Sequence, residues 1–221
     1  MADAVIVGEG AQRRLPRDFF ARPVLEVAPE LLGCLVSHAG VTVRLTEVEA
    51  YAGMVDPGSH AYRGPTARTR VMFGPAGFLY VYFTYGNHWC VNLVCGHEGT
   101  AEAVLLRGAE VVAGCELAQE RRGKARERDW CRGPGRLGQA LALGRDQTGR
   151  DFCRPAIGDP VDFVVGSPAE PVDPGLVRTG PRVGISGPGG DAATYPWRYW
   201  LDGEPTVSPY RPGVARKRRR G

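Results

Sequence analysis

The sequence predicts a single α+β domain: a mainly antiparallel, curved sheet with a protruding aromatic β-hairpin and surrounding helices. Three observations predict it. Two stretches alternate with period two about a glycine-containing turn, "CLVSH" and "VTVRLTEVEAY" about Ala39-Gly40, and "FLYVYFTY" and "HWCVNLVC" about Gly86-Asn87. Apolar residues recur at helical spacing before the first hairpin and after the second. No internal repeat and no clear linker divides the 221 residues, a length that fits one large domain.

In chain order, residues 1–15 lack periodicity and read as a loose arm ahead of a domain spanning 16–210. "VLEVAPELLG" spaces Val24, Val27, Ala28, Leu31 and Leu32 as a helix, stopped by Gly33 and weakened by Pro29. The two hairpins follow, separated by a Gly-, Pro- and Thr-rich loop from Gly58 to Gly77; loops that long in compact domains are usually functional. "AEAVLLRGAE" reads as a further strand, and Val111–Arg122 and Pro134–Leu143 as helices. From Gly144 the chain is rich in Pro and Gly, with short strands expected near 161–165, 181–185 and 199–201. Residues 211–221 form a basic tail.

Composition excludes several classes. No apolar run reaches 18 residues, so no membrane partner is expected. The opening "MADAVIVGEG" has no basic n-region, which points to a cytoplasmic location. The six cysteines have no framework spacing and read as reduced core residues; Cys90, Cys95 and His97 are not a zinc pattern, so no metal is expected. There is no G-x-S-x-G elbow, P-loop or G-x-G-x-x-G after a strand, and no cofactor is expected. The net charge of +4 comes from five basic residues at 216–220; without them 23 bases face 24 acids. Distribution is more telling. Pro57–His97 holds Arg63, Arg68 and Arg70 and no acid, and Arg121–Arg132 sets six bases against two acids. Either patch alone reads most simply as a solvated charged face.

Candidate chemistry starts at "TEVEAY". Regular alternation puts Glu47, Glu49 and Tyr51 on the face of Val41, Val43 and Leu45, where two carboxylates are costly unless paired or at an opening. A strand emerging into solvent, or a β-bulge, is the simpler reading of this stretch alone. The second hairpin packs Tyr80, Tyr82, Phe83, Tyr85, His88 and Trp89 into the fourteen residues Leu79–Asn92. Tyrosines there can stack bases or sugars, or fill a core near an edge; Trp89 belongs to the core. "GPGRLGQAL" is Gly-rich before a helix and could meet a phosphate.

The ordered set "TEVEAY…GSHAYRG…TRVMFGPAGFLYVYFTYGNHWCVN…AVLLRGAE…GPGRLGQALAL" closely resembles the methylpurine (3-methyladenine, alkyladenine) DNA glycosylase family, from about Leu15 to Ser208. The resemblance implies an enzyme that flips damaged purines out of duplex DNA and hydrolyses the N-glycosidic bond. It implies that Glu49 activates water, with Arg107 near the reaction centre. Tyr51, His60, Tyr82 and Asn92 would line the base pocket, with Asn92 crowding the 2-amino group of guanine. Tyr85 would intercalate, and Arg63, Arg70 and Arg136 would meet the backbone. Glu47 would be structural. The enzyme would be a monomer whose partner is duplex DNA with damaged purines. The scarcity of lysine, at 124 and 217 only, argues against a Schiff-base lyase step. Asn87 departs from the family, which often has an apolar residue there. Two other readings compete: a non-catalytic nucleic-acid-binding module on the same scaffold, and a sugar hydrolase using Glu47 and Glu49. The second is disfavoured because carboxylates two apart on one strand cannot easily flank a bond.

Overall fold

The structure is a computed structural model that describes residues 4–7, 10–154 and 163–214. The basic run 216–220 of the expected tail lies outside the described residues, as do 161–162 of the expected strand 161–165. Strands β1 (Ala4–Val7) and β2 (Gly10–Arg13) pair as a short hairpin. Thus the stretch read as a loose arm carries structure: Ser167 N donates to the Arg13 carbonyl and Leu15 N to that of Val165. Backbone pairing holds it, and side-chain periodicity is blind to that. Helices α1 (Arg17–Phe20) and α2 (Val24–Glu30) follow; α2 contains Pro29 near its C-terminal end, and Gly33 turns the chain out with φ +80°.

An open, eight-stranded antiparallel sheet makes the body. Its strands are β3 (Leu35–His38), β4 (Val41–Ala52), β5 (Leu79–Thr84), β6 (His88–Cys95), β7 (Glu102–Ala113), β8 (Val164–Gly166), β9 (Val177–Gly180) and β10 (Arg198–Leu201). The order is β5-β6-β7-β4-β10-β9, with β3 on the first half of β4 and β8 beside β3. Helix α3 (Cys115–Arg122) packs on α4 (Pro134–Ala140), which lies on β6 and β7. Val111–Ala113, expected to be helical, instead extends β7; the left-handed Gly114 then separates strand from helix. The expected strand at 181–185 does not form. Pro181 has no amide hydrogen, and the Val183 amide bonds a side chain instead.

The two faces of the sheet have different jobs. Leu79 and Val81 of β5, and Val91, Leu93 and Cys95 of β6, join the main core with Phe20, α2 and α4. Tyr80, Val94, Ala103, Ala61 and Met72 make a smaller cluster, with Tyr82 packed against it. In β4 the alternation breaks. Val41, Val43 and Leu45 are in the main core, and so are Val48 and Ala50: odd positions before the break, even ones after. The pairing with β7 is irregular on both sides of Glu47, where Leu45 meets Ala109, Glu47 meets Gly108 and Val48 meets Leu106. β7 flips at the same level, since Val104 and Leu106 join the core and so do Ala109 and Val111. Each strand carries one extra residue, Thr46 and Arg107, so the overall register survives. Glu47 and Glu49 therefore do not continue the Val41–Leu45 face, as regular alternation predicts. Nor do they emerge into solvent, because both are fully buried.

Candidate active site

The small cluster forms the floor of a pocket. Tyr51, Ser59, His60, Tyr80, Tyr82 and Asn92 line it, together with Gly58, Met72 and Ile185, around a cavity of about 60 Å³. Tyr80 and Tyr82 stack at 5.5 Å and 26°. The His60 ring stands edge-on to Tyr82 at 4.6 Å, and its Nδ1 lies 3.1 Å from the Tyr80 hydroxyl. Asn92 Nδ2 donates to the Tyr80 carbonyl (3.1 Å), which fixes the amide in the pocket wall. Burial raises the phenols, Tyr80 to about 12 and Tyr82 and Tyr51 well above the usual phenol range, with the Glu49 carboxylate adding to the rise of Tyr51. Burial and then Arg68 push His60 down to about 4, so its imidazole is neutral at pH 7. The pocket thus offers neutral rings with polar edges.

Under one wall lies a buried charge network. Glu49 Oε2 accepts from the Tyr51 hydroxyl (2.8 Å) and Oε1 from the Val183 amide (2.7 Å), with Arg107 Nε at 3.5 Å from Oε1. Glu47 is more heavily engaged. Its Oε1 accepts from Arg198 Nε (2.7 Å), Arg107 Nε (3.0 Å) and Ser208 Oγ (2.9 Å), and its Oε2 from Ser208 N (2.7 Å). Burial lowers the Arg107 pKa, but the Glu49 and Glu47 charges outweigh it and the net shift is upward. The two carboxylates have separate settings: Glu47 is saturated by donors inside the fold, and Glu49 reaches toward the pocket through Tyr51.

A larger cleft of about 730 Å³ is lined by Arg107, Val183 and Ser208 of this network and by Tyr85, His88, Lys124 and Arg136. Arg122, Arg126, Arg132 and Arg211 add positive charge, and among the described residues Asp129 is the one acid lining it. Arg126, Arg132 and Arg136 all lie within 4 Å of Asp129. Tyr85 crowns the β5–β6 hairpin. The turn was expected at Gly86-Asn87, yet Tyr85 and Gly86 carry the positive φ (+52° and +73°). The shift by one residue puts Tyr85 at the tip, 88% exposed.

Of the residues singled out by sequence, Tyr51, His60, Tyr82 and Asn92 thus meet in one pocket. Arg107, Tyr85 and Arg136 line the cleft, and Glu49 bonds Tyr51 of the pocket and Val183 of the cleft. Arg63 and Arg70 are exposed on the 58–77 loop and line neither cavity. Sequence reasoning placed Tyr80 among the rings that can stack but not in the base pocket, where its hydroxyl holds His60, and it missed the residues that hold the carboxylates: Val183, Arg198 and Ser208. It also missed Arg182, a fully buried cation behind Tyr51. The alternation of "LYVYF" placed Tyr80 beside Tyr82. For "PRVG" and "TVSP" nothing local marked them, because their roles come from contacts more than 130 residues away in the chain.

Known proteins give the geometry a context. A relative from Streptomyces avermitilis is 54% identical over 210 residues, covering 93% of this chain and 95% of its own length. One from Frankia casuarinae is 52% identical over 202 residues (88% and 92%), and one from Leifsonia xyli 50% over 205 (88% and 92%). All three bear the name "Putative 3-methyladenine DNA glycosylase". The model of the Methylpurine-DNA glycosylase family matches residues 18–205. With that match over most of its length and those identities, the chain belongs to the methylpurine-DNA glycosylase family.

Proposed function

We propose that the protein is a monofunctional DNA glycosylase, a hydrolase that turns alkylated or deaminated purines out of duplex DNA. It cleaves the N-glycosidic bond with a water activated by Glu49 and leaves an abasic site. The observation that carries this reading is the place of Glu49. Its carboxylate bonds Tyr51 of the aromatic pocket on one oxygen, and Val183 of the basic cleft on the other. A nucleotide with its phosphates in the cleft and its base in the pocket would carry its anomeric carbon past that carboxylate.

Each part then has a task. The arginines of the cleft, Arg136 among them, attract phosphate without reading sequence; Arg63 and Arg70 would do the same from the 58–77 loop. Tyr85 replaces the stacking lost when the base leaves, a loss of a few kcal/mol that is least for damaged pairs. Tyr51 on one side and His60 with Tyr82 on the other clasp the base, and Asn92 crowds the 2-amino group of guanine. Cleavage builds positive charge on the sugar, which the Glu49 carboxylate stabilises while it takes a proton from the attacking water. Water reaching Oε1 shares it with the Val183 amide and Arg107, and these hold the carboxylate in a fixed orientation. The lysine among the described residues, Lys124, is exposed and lacks the burial that favours a Schiff-base amine. The enzyme acts as a monomer.

The test is base release from duplex oligonucleotides carrying one hypoxanthine or one 7-methylguanine, with strand breaks scored before and after alkali. Wild type should release base, break strands only after alkali, and lose release in Glu49→Gln while DNA binding persists. Binding without release on every lesion would make the chain a binding module.

A further inference from the structure

Arg182 is the largest fully buried side chain among the described residues, and its surroundings are unusual for a cation. Nη1 and Nη2 fork onto Asp56 at 2.5 and 2.7 Å. Nη1 also donates to the Ala50 carbonyl (3.0 Å) and Nη2 to that of Gly189 (2.8 Å). These partners lie on three walls of the base pocket: β4 beside Tyr51, the turn leading to Gly58 and His60, and the loop that carries Ile185. Asp56 in turn accepts from the amides of Ala52 and Gly58. The guanidinium lies over the Tyr51 ring, 4.6 Å from its centroid, with Trp197 and Tyr195 also facing it at 5.3 and 5.7 Å. Tyr51 lines the pocket and Arg182 does not. The cation therefore holds one face of Tyr51 and leaves the other to the ligand.

A ring bound to a cation on one face has its π-electron density drawn to that face. Its free face then attracts a second cation less, and the two cations repel each other through the ring. The fork onto Asp56 lies in the guanidinium plane, off the axis through the Tyr51 ring, so it cancels only part of this field. N3- and N7-alkylated purine nucleotides carry a positive charge; hypoxanthine and etheno adducts do not.

We propose that Arg182 sets lesion selectivity: acting through Tyr51, it disfavours damaged purines that are positively charged and favours neutral ones. The proposal rests on the glycosylase reading and adds a substrate class to it. Cationic purines are good leaving groups and need little binding, so this bias puts the pocket's grip on the lesions that require it. The neutral His60 fits the same division, since it can exchange hydrogen bonds with a neutral base. Arg182 is a positioning residue, touching Tyr51 and not the substrate.

The test measures single-turnover release of hypoxanthine and of 7-methylguanine from one duplex sequence and takes the ratio of the two rate constants. Asp56→Asn leaves the cation unopposed and should raise the neutral-to-cationic ratio. Asp56→Asn with Arg182→Gln removes both charges while keeping amides for the Ala50 and Gly189 carbonyls, and should lower it, each change by about threefold to tenfold. A purely structural role would slow both lesions alike. Ratios within twofold of wild type in both variants, or shifts of the same sign, overturn the proposal. Melting curves report folding; if the double variant does not fold, Asp56→Asn alone decides, and no rise in its ratio overturns the proposal. Wild type that releases neither base sinks the glycosylase reading, and this one with it.

Discussion

Glu47 and Glu49 are two residues apart on one strand and equally buried, yet their replacement should have opposite consequences. Glu47 accepts four hydrogen bonds, all from donors, and faces two buried arginines, Arg107 and Arg198. In Glu47→Gln one of the two side-chain oxygens becomes an NH₂ group pointed at donors, and the two cations lose their shared anion. Breaking a buried pair of this kind costs about 3–5 kcal/mol. For a domain of this size each kcal/mol moves the melting temperature by about 2–4 °C, so the fall should be about 6–20 °C. Glu49→Gln is different. The amide oxygen can keep the Val183 N–H and the amide nitrogen can donate to the Tyr51 oxygen, because a phenol both gives and accepts. Arg107 retains Glu47. The cost should be about 1 kcal/mol, or about 2–4 °C. Thermal unfolding followed by circular dichroism, beside base release, separates the two. Glu49→Gln should be folded and inactive, and Glu47→Gln strongly destabilised. Equal melting temperatures for the variants, or Glu47→Gln within about 2 °C of wild type, would refute this division of labour.

Three further outcomes are expected. Tyr85→Gly removes the exposed ring and also the left-handed strain of a non-glycine residue, about 1–2 kcal/mol, which offsets the entropy that glycine adds. Melting should hold within about 3 °C while release from duplex falls about tenfold, the worth of one lost base–aromatic stack; unchanged release would exclude Tyr85 from the wedge role. In Gly138→Ala the new methyl would run into the Trp89 carbonyl oxygen, so α4 must lift off β6. Overpacking of about 1–3 kcal/mol should outweigh the gain in helix propensity, and a raised melting temperature would contradict it. His60, held down to about 4, takes up its proton later than the unfolded chain, whose histidine titrates near 6.5. Its contribution to stability is therefore complete above pH 6.5 and falls as the pH drops from there toward 4. The exposed part of the ring keeps that loss small. Titration of the His60 ring signals by NMR should give a midpoint below 6.5, and one above it would refute the assignment.

Much of this was legible in the sequence. Ala39-Gly40 marked the first hairpin, and both residues take positive φ at the turn. The alternating "LYVYF" and "VNLVC" separated core from pocket residues. What stayed hidden was non-local. Thr46 is an unremarkable strand residue until its hydroxyl meets Thr206, 160 residues on, at the level where β4 and β7 slip. Counting alternation through Thr46 put the carboxylates on the wrong face; the β-bulge kept as a simpler reading is what forms, but it turns them into a buried network and not out to solvent. Val111–Ala113 were misread for a related reason: three apolar residues before a helical run fit either period. Arg182 had no signature at all, since only the folded chain surrounds it with Asp56, Tyr51 and Trp197.

The paired irregularity at Thr46 and Arg107 has a consequence for how this chain can vary in length. Loss of Thr46 alone would leave the flip in β7 unmatched, so pairs on one side of the break would fall out of phase. Loss of Thr46 together with Arg107 would restore even alternation through this level of both strands, while deleting the cation that bridges the two carboxylates. Beside this break, a change of length within the paired stretches of β4 and β7 is thus tolerable to the fold only when it is matched across the two strands, and the matched deletion of Thr46 and Arg107 also dismantles the site.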